Sequence, residues 1–297
     1  MRFDKNPVLR TTGETIDQAA PSAALRAMVA SHSAAAEAVA GALEPIGLAG
    51  QKVAQTIACG GLLVYAAAGS SGLMAVADAC ELPGTFRIPP DRVRIAMAGG
   101  IPIDARMPGD TEDDQTQATR AVAGLSSADT VIALSASGTT PFACAAAEAA
   151  LTKGSTVIAI ANVPAAPLLD LAHVAIAVPT GPEVLDGSTR LAAGTAQKII
   201  LNMISTLAGV ELGHVHDGMM VNLHADNAKL RKRAQGIVAA VAGVSADTAA
   251  RALQDAHYDV KTAVLMAQGL DMVHAQSLLA HHGGRLRDCL ASGQIEN

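Results

Sequence analysis

Residues 62–86 are LLVYAAAGSSGLMAVADACELPGTF, a stretch that points to the fold class. Leu62, Leu63, Val64 and Tyr65 form an apolar run that passes through small residues into Gly69-Ser70-Ser71-Gly72, after which Ala, Leu and Met recur at helical spacing. The pattern is strand, glycine-rich turn, helix. Such a turn sets backbone N–H groups and the Ser70 and Ser71 hydroxyls at a helix N-terminus, where unpaired donors and the helix dipole favour an anion. The same residue types also cap ordinary helices, so one copy does not separate a ligand site from a cap. A second copy follows. Thr130, Val131, Ile132, Ala133 and Leu134 lead into Ser135-Ala136-Ser137-Gly138-Thr139-Thr140-Pro141, and a helical pattern starts at Phe142. Two such units in one parallel sheet bring both loops to the carboxyl edge, where open α/β sheets bind ligands.

Outward from these loops, residues 19–53 are alanine-rich with apolar residues at helical spacing, behind a polar lead over residues 1–18. They predict one or two helices that Gly60-Gly61 closes. Residues 92–98 alternate as a second strand, and Gly99-Gly100 ends it. Residues 101–117 hold proline, glycine and an acidic cluster that predict a surface loop before a helix over 118–125. The runs STVIAIA (155–161) and HVAIAVP (173–179) supply the fourth and fifth strands, and residues 189–212 read as one long helix. Strands alternating with helices predict an α/β fold, a doubly wound five-stranded parallel sheet in an αβα sandwich. Four helices are expected in the tail, over 229–241, 246–256 and 260–269 and from Val273, with Asp271 as cap of the last. The expected division is a lead with helices (1–59), the α/β domain (60–226) and a small helical domain (227–297).

With 297 residues, half of them hydrophobic, the chain can bury a large core. A net charge of −6, no Trp, two Tyr and three Phe exclude a basic or base-stacking surface, so nucleic acid is not an expected partner. Cys59, Cys80, Cys144 and Cys289 form no Cys-x-x-Cys pair and are expected as buried thiols of a reducing compartment. No apolar run approaches the roughly 20 residues of a membrane span, and the N-terminus lacks a signal-like segment. A soluble, cytoplasmic protein is the expectation, with no membrane partner.

Several further motifs accompany the loops: residues 78–86 (DACELPGTF), Ala98-Gly99-Gly100, residues 181–190 (GPEVLDGSTR), residues 193–198 (AGTAQK) and Asn227-Ala228-Lys229-Leu230. From about Gly60 onward the chain thereby resembles the sugar-isomerase (SIS) fold, and within it the N-acetylmuramic acid 6-phosphate etherases. The resemblance implies a lyase that removes D-lactate from the sugar phosphate during cell-wall recycling, working as a homodimer without metal or cofactor. By the same resemblance Glu81 and Glu112 are the catalytic pair. Glu112 is the base at carbon 2, and Glu81 is the acid that later activates water. One ionised and one protonated carboxyl suit such an elimination. The candidate substrate-binding set is Ser70, Ser71, Gly72, Ser135, Ser137, Gly138, Thr139, Thr140, Glu183, Ser188, Arg190 and Lys198. Read as residues alone, Glu81 is a polar helix end and Glu112 one acid of a solvated loop.

Three positions depart from the family pattern. Leu73, Thr139 and Ala192 stand where the etherases carry basic residues, and Ser31-His32 with their neighbours replace the usual N-terminal motif. Each cation that faced the ligand would have contributed about 1.5–3 kcal/mol. Arg190 and Lys198 remain as sources of positive charge. The alternatives are therefore a SIS lyase or isomerase acting on a different sugar, and a non-catalytic sugar-phosphate-binding regulator. His214-Val215-His216-Asp217 has metal-like spacing but reads as a post-helix turn, and Met219-Met220-Val221 reads as core packing.

Overall fold

The computed structural model describes residues 15–292, so most of the polar lead lies outside the described residues. These residues divide into two compact units. One holds the residues up to Ala79 together with Asp91–Ser205, and the other holds Cys80–Pro90 and the residues from Thr206 on.

In the first unit, α1 (Pro21–Ala38), a 3-10 turn (Val39–Ala42) and α2 (Leu43–Ala58) precede β1 (Leu63–Ala67) and α3 (Gly69–Ala79). A short α4 (Leu82–Phe86), in the second unit, falls between α3 and β2 (Val93–Met97). Then come α5 (Gln115–Ala121), β3 (Thr130–Ser135), α6 (Pro141–Thr152), β4 (Thr156–Ala161), α7 (Pro167–Asp170) and β5 (Val174–Ala177). The five strands pair in parallel in the order β2-β1-β3-β4-β5, with partners such as Ala67↔Met97 and Ala67↔Leu134. This is the expected five-stranded, helix-flanked sheet. Small residues on one face, among them Val64, Ala66, Val131, Ala133, Val157 and Ala159, are buried. They let the alanine-rich α6 approach closely through Ala143, Ala146, Ala147 and Ala150.

α8 (Ala192–Glu211) runs across the boundary between the units at Ser205. In the second unit it is followed by a hairpin of β6 (Val215–His216) and β7 (Met219–Met220), and by α9 (Ala228–Ala242), α10 (Ala246–Asp255), α11 (Val260–Ala267), α12 (Met272–His281) and α13 (Leu286–Ala291). These helices enclose their own core, in which Val238, Ala249, Val264, Leu265 and Cys289 are buried. No single described helix is long and apolar enough to cross a membrane.

Several boundaries differ from the expectation for local reasons. Gly69 turns the chain by itself at φ +54°, so the Gly-Ser-Ser-Gly run is the first turn of α3 and not a loop ahead of it. Asp114 accepts from the Gln117 N–H, starting α5 three residues early, and the helix ends at Ala121. The tail has a fifth helix, α13, beyond the four expected. The Asp271 cap is present, accepting from the His274 N–H at 2.8 Å. Residues 214–221 form a hairpin turned by Asp217 (φ 47°) and Gly218 (φ 75°), and Asp-Gly is the sequence signal for that turn. His216 lies 3.6 Å from Asp217, and among the described residues no three His, Cys, Asp or Glu side chains gather as a metal site. The thiols depart from expectation as well: Cys59 and Cys80 are exposed, Cys144 is half-buried and only Cys289 is buried. Cys59 ends α2 and Cys80 follows α3, positions where a chain turns at the surface.

Candidate active site

The strand order places the chain's topological switch between β1 and β3. β1 connects toward β2 on one side and β3 toward β4 on the other, so their C-terminal ends open a crevice of the kind that takes ligands in such sheets. Both Ser/Thr segments leave the sheet at this point, side by side, because Ala67 and Leu134 are register partners.

In the first segment Ser70 is half-buried and Ser71 buried, and among the described residues neither hydroxyl takes part in a hydrogen bond. Gly72 serves packing: a Cβ there would come within 2.9 Å of the Met97 side chain. The second segment is internally wired. Ser135 Oγ, buried at 2 % exposure, accepts from the Gly138 N–H at 2.9 Å and bonds Thr140 Oγ1 at 2.8 Å. Ser137 Oγ bonds Thr139 Oγ1 at 2.9 Å and Ser135 Oγ at 3.3 Å. Gly138 has φ +66° and lies against Ala166, so a side chain is excluded there on both counts. Ser137 and Thr139 are exposed, and their hydroxyls form the outer face of the network.

Glu112 belongs with both segments. Its carbonyl accepts from the Phe142 N–H at 2.9 Å, fixing it to the head of α6. Its carboxylate lies over Gly69 so closely that a Cβ there would be 2.6 Å from Oε1. The loop that carries it folds back through Gly99, whose N–H donates to Gln117 Oε1 at 2.9 Å. Glu112 is exposed, and among the described residues its carboxylate accepts no hydrogen bond. A carboxylate so held at the N-terminal end of α3, beside free serine hydroxyls, has the character of a positioned base.

Glu183 is differently engaged. Its Oε2 and Oε1 accept from the Ala192 and Ala193 N–H groups at 2.8 and 3.0 Å, capping α8. Ser188 and Arg190 lie in the turn before α8, which begins later than the predicted Thr189, and the Ser188 N–H donates to the Leu185 carbonyl. Arg190 and Lys198 are exposed, and among the described residues neither forms an ion pair. Ala192, at one of the departing positions, is fully buried in the cap, and Leu73 on α3 is 38 % exposed. His32 Nδ1 and Thr195 Oγ1 are 2.8 Å apart and link α1 to α8.

Glu81 falls in the second unit. It precedes α4 with an exposed side chain that makes no cap, and its carbonyl accepts from the Thr85 N–H at 2.9 Å.

Two supporting groups lie outside the expected set. Buried Gln197 donates to Asn162 Oδ1 at 2.9 Å, Asn162 Nδ2 donates to the Val178 carbonyl, and the Asn162 N–H donates to the Ala136 carbonyl, bracing the second segment from below. Asp78, 3 % exposed, accepts from Tyr65, Asn202 and Ser205 at 2.8–2.9 Å and joins β1, α3 and α8. Burial, then the Asp78 charge, pushes the Tyr65 phenol well above its ordinary pKa, so it stays a donor. A polar residue inside an apolar helical pattern is the only sequence trace of either group.

The SIS domain family matches residues 105–207. Proteins named N-acetylmuramic acid 6-phosphate etherase match nearly end to end. That of Deinococcus radiodurans is 38% identical over 94% of this chain and 92% of its own length. That of Streptomyces avermitilis is 39% identical over 93% and 90%, and that of Erwinia tasmaniensis 42% over 86% and 84%. The likeness thus extends well before Gly60, into the N-terminal helices. The chain belongs to the N-acetylmuramic acid 6-phosphate etherase family.

Proposed function

We propose that the protein is a carbon–oxygen lyase that cleaves the D-lactyl ether of N-acetylmuramic acid 6-phosphate, giving N-acetylglucosamine 6-phosphate and D-lactate. In the open-chain aldehyde, Glu112 accepts the proton from carbon 2. The electron pair shifts toward carbon 3, and the C3–O bond breaks as Glu81 gives a proton to the departing lactyl oxygen. Glu81, now ionised, takes a proton from water as its oxygen adds to carbon 3, and carbon 2 regains a proton from Glu112. Water is consumed and both carboxyls return to their starting states. The loop hydroxyls of Ser70, Ser71, Ser137, Thr139 and Thr140, with the N-terminal end of α3, bind the sugar phosphate. Ser135 and Gly138 shape the second segment, and Glu183 and Ser188 hold the start of α8. Arg190 and Lys198 supply positive charge. The enzyme acts as a homodimer in the cytoplasm, in cell-wall recycling, on the domain plan of residues 1–59, 60–226 and 227–297.

One observation carries this reading: the Glu112 carboxylate lies over Gly69 while its main chain is tied to the head of α6, at the switch point where both Ser/Thr segments emerge. Relatives that bear the etherase name over more than nine-tenths of this chain support the choice of substrate. The test is D-lactate release from N-acetylmuramic acid 6-phosphate by the wild type, Glu112→Gln and Glu81→Gln. Release by the wild type alone, with solvent deuterium entering at carbon 2, is the expected result. A second reading, a lyase for a differently substituted sugar ether, is favoured by Leu73 and Thr139, which leave both segments without a cation. Deuterium exchange into another sugar ether, with no lactate from the phosphate, would select it.

A further inference from the structure

The helical unit contains a cleft of about 370 Å³ that the chemistry above does not use, bordered by Arg87, His257, Asp259, Lys261, Thr262 and Gln276. Its centre is Lys261, on the first turn of α11 and 6 % exposed. Nζ donates to the Gly284 carbonyl at 2.6 Å, the one hydrogen bond it makes among the described residues. An ammonium carries three donors, and burying one without a counter-charge is costly.

The neighbouring groups do not supply that counter-charge. Asp259 is the acid of the cleft, and it is already engaged: Oδ2 accepts from Arg87 Nη1 at 2.6 Å, and Oδ1 caps α11 through the Thr262 N–H at 2.9 Å. Arg87 and Asp259 neutralise each other, and Lys261 is left as the excess positive charge. Behind it, burial and then the Lys261 charge lower the His214 pKa to about 4, so its imidazole is neutral at pH 7. Burial, then Asp288, raises the Cys289 thiol, which is neutral as well. Burial brings Lys261 down to about 8 against the opposing pull of Asp259, so it remains mainly charged at pH 7. On the rim, His257 and Tyr258 are successive non-glycine residues at φ 51° and 62°, a strained turn that holds the imidazole at the cleft.

We propose that this cleft binds a small oxyanion, a phosphate or carboxylate group, which Lys261 neutralises while Thr262, Gln276 and His257 supply hydrogen bonds. It is a site separate from the Ser/Thr segments and independent of the function proposed above.

The test is calorimetric titration of the full chain with inorganic phosphate and, separately, with D-lactate, at pH 7 and at ionic strength held constant with chloride. Saturable binding of at least one anion is expected. It should weaken at least tenfold in Lys261→Met and in Gln276→Glu. The second substitution changes an exposed α12 residue, so the fold is kept while a competing carboxylate enters the cleft. Affinity should also fall between pH 7 and 9, as Lys261 loses its proton. Absence of saturable binding, or a titration curve of Gln276→Glu identical to that of the wild type, overturns the proposal, because anion binding at the Ser/Thr segments is common to both proteins. Phosphate binding that is lost in Gln276→Glu while D-lactate binding never appears identifies the oxyanion as phosphate, and the reverse identifies a carboxylate.

Discussion

Glu112 and Glu183 lie in the same unit, and each meets the N-terminal end of a helix, yet they are held in opposite ways. Glu183 is anchored by its side chain: both oxygens accept N–H groups of α8. Glu112 is anchored by its main chain, through the Phe142 N–H, and its carboxylate, over Gly69, accepts no hydrogen bond among the described residues. A carboxylate that accepts two backbone donors stabilises structure. One positioned from behind keeps its lone pairs for a proton. On the function proposed above, this is the difference between a cap and a base, where sequence alone shows two glutamates in polar loops.

The largest effect should follow Glu112→Gln. The amide keeps the shape and the main-chain bond to Phe142 but cannot accept the carbon 2 proton that the proposed reaction assigns to Glu112, so kcat should fall about 10²–10⁴-fold with the melting midpoint unchanged. Lactate release and a thermal melt read the two sides. A lowered midpoint with preserved turnover would make Glu112 a second cap.

Gly69→Ala comes next and acts on the same carboxylate from below. The new Cβ would sit 2.6 Å from Oε1, at a backbone φ of +54°. The strained backbone costs about 1–2 kcal/mol, and displacing the base by about 1 Å can cost up to 10²-fold in rate. The variant should therefore lose both turnover and stability. Turnover equal to wild type would show that the Glu112 position over Gly69 is irrelevant to chemistry.

Glu183→Ala should do the reverse of Glu112→Gln. Two N–H groups at the start of α8 lose their acceptors, at a cost of about 1 kcal/mol, roughly 2–4 °C in the midpoint for a unit of this size. kcat should change far less than in Glu112→Gln. A loss of kcat comparable to that of Glu112→Gln, in a protein that melts normally, would move Glu183 into the chemistry.

Much of this arrangement is legible in the sequence because it is local. Strand-turn-helix units announce themselves by period and by glycine, and two of them in a parallel sheet are enough to predict a site at its carboxyl edge. What stays hidden is the meeting of residues far apart in the chain. Nothing around Glu183 announces that Ala192 and Ala193 will turn back onto it, and Asp78 gathers partners from Tyr65 to Ser205 that share no motif. Gly69 is legible as a turn former. Its second role, clearing space for Glu112, depends on a loop more than 40 residues later in sequence, whose fold rests on the bond between Gly99 and Gln117. The tail helices are legible by their caps. α13 escapes because Arg285 precedes it with no side-chain cap.

The smallest effect, and the finest probe of the contrast, is expected of Ser137→Ala. Ser137 is exposed like Glu112, yet its hydroxyl is tied like Glu183: it bonds Thr139 Oγ1 at 2.9 Å and accepts from the Thr139 N–H at 3.2 Å. The exposed Thr139 groups can turn to water when the hydroxyl is removed, and the buried Ser135 Oγ keeps its bonds to Thr140 Oγ1 and the Gly138 N–H, so the stability cost should stay at about 0.5 kcal/mol, at the low end for a hydrogen bond. If the hydroxyl meets the sugar phosphate, KM should rise severalfold at constant kcat, because a bond made equally in the ground state and the transition state does not alter the chemical step. A stability loss above about 1 kcal/mol with KM unchanged would place Ser137 with Glu183, as a residue that holds its segment together. The Thr139 side chain then becomes the outermost donor of that segment, and Thr139→Val is the variant in which the KM effect should appear.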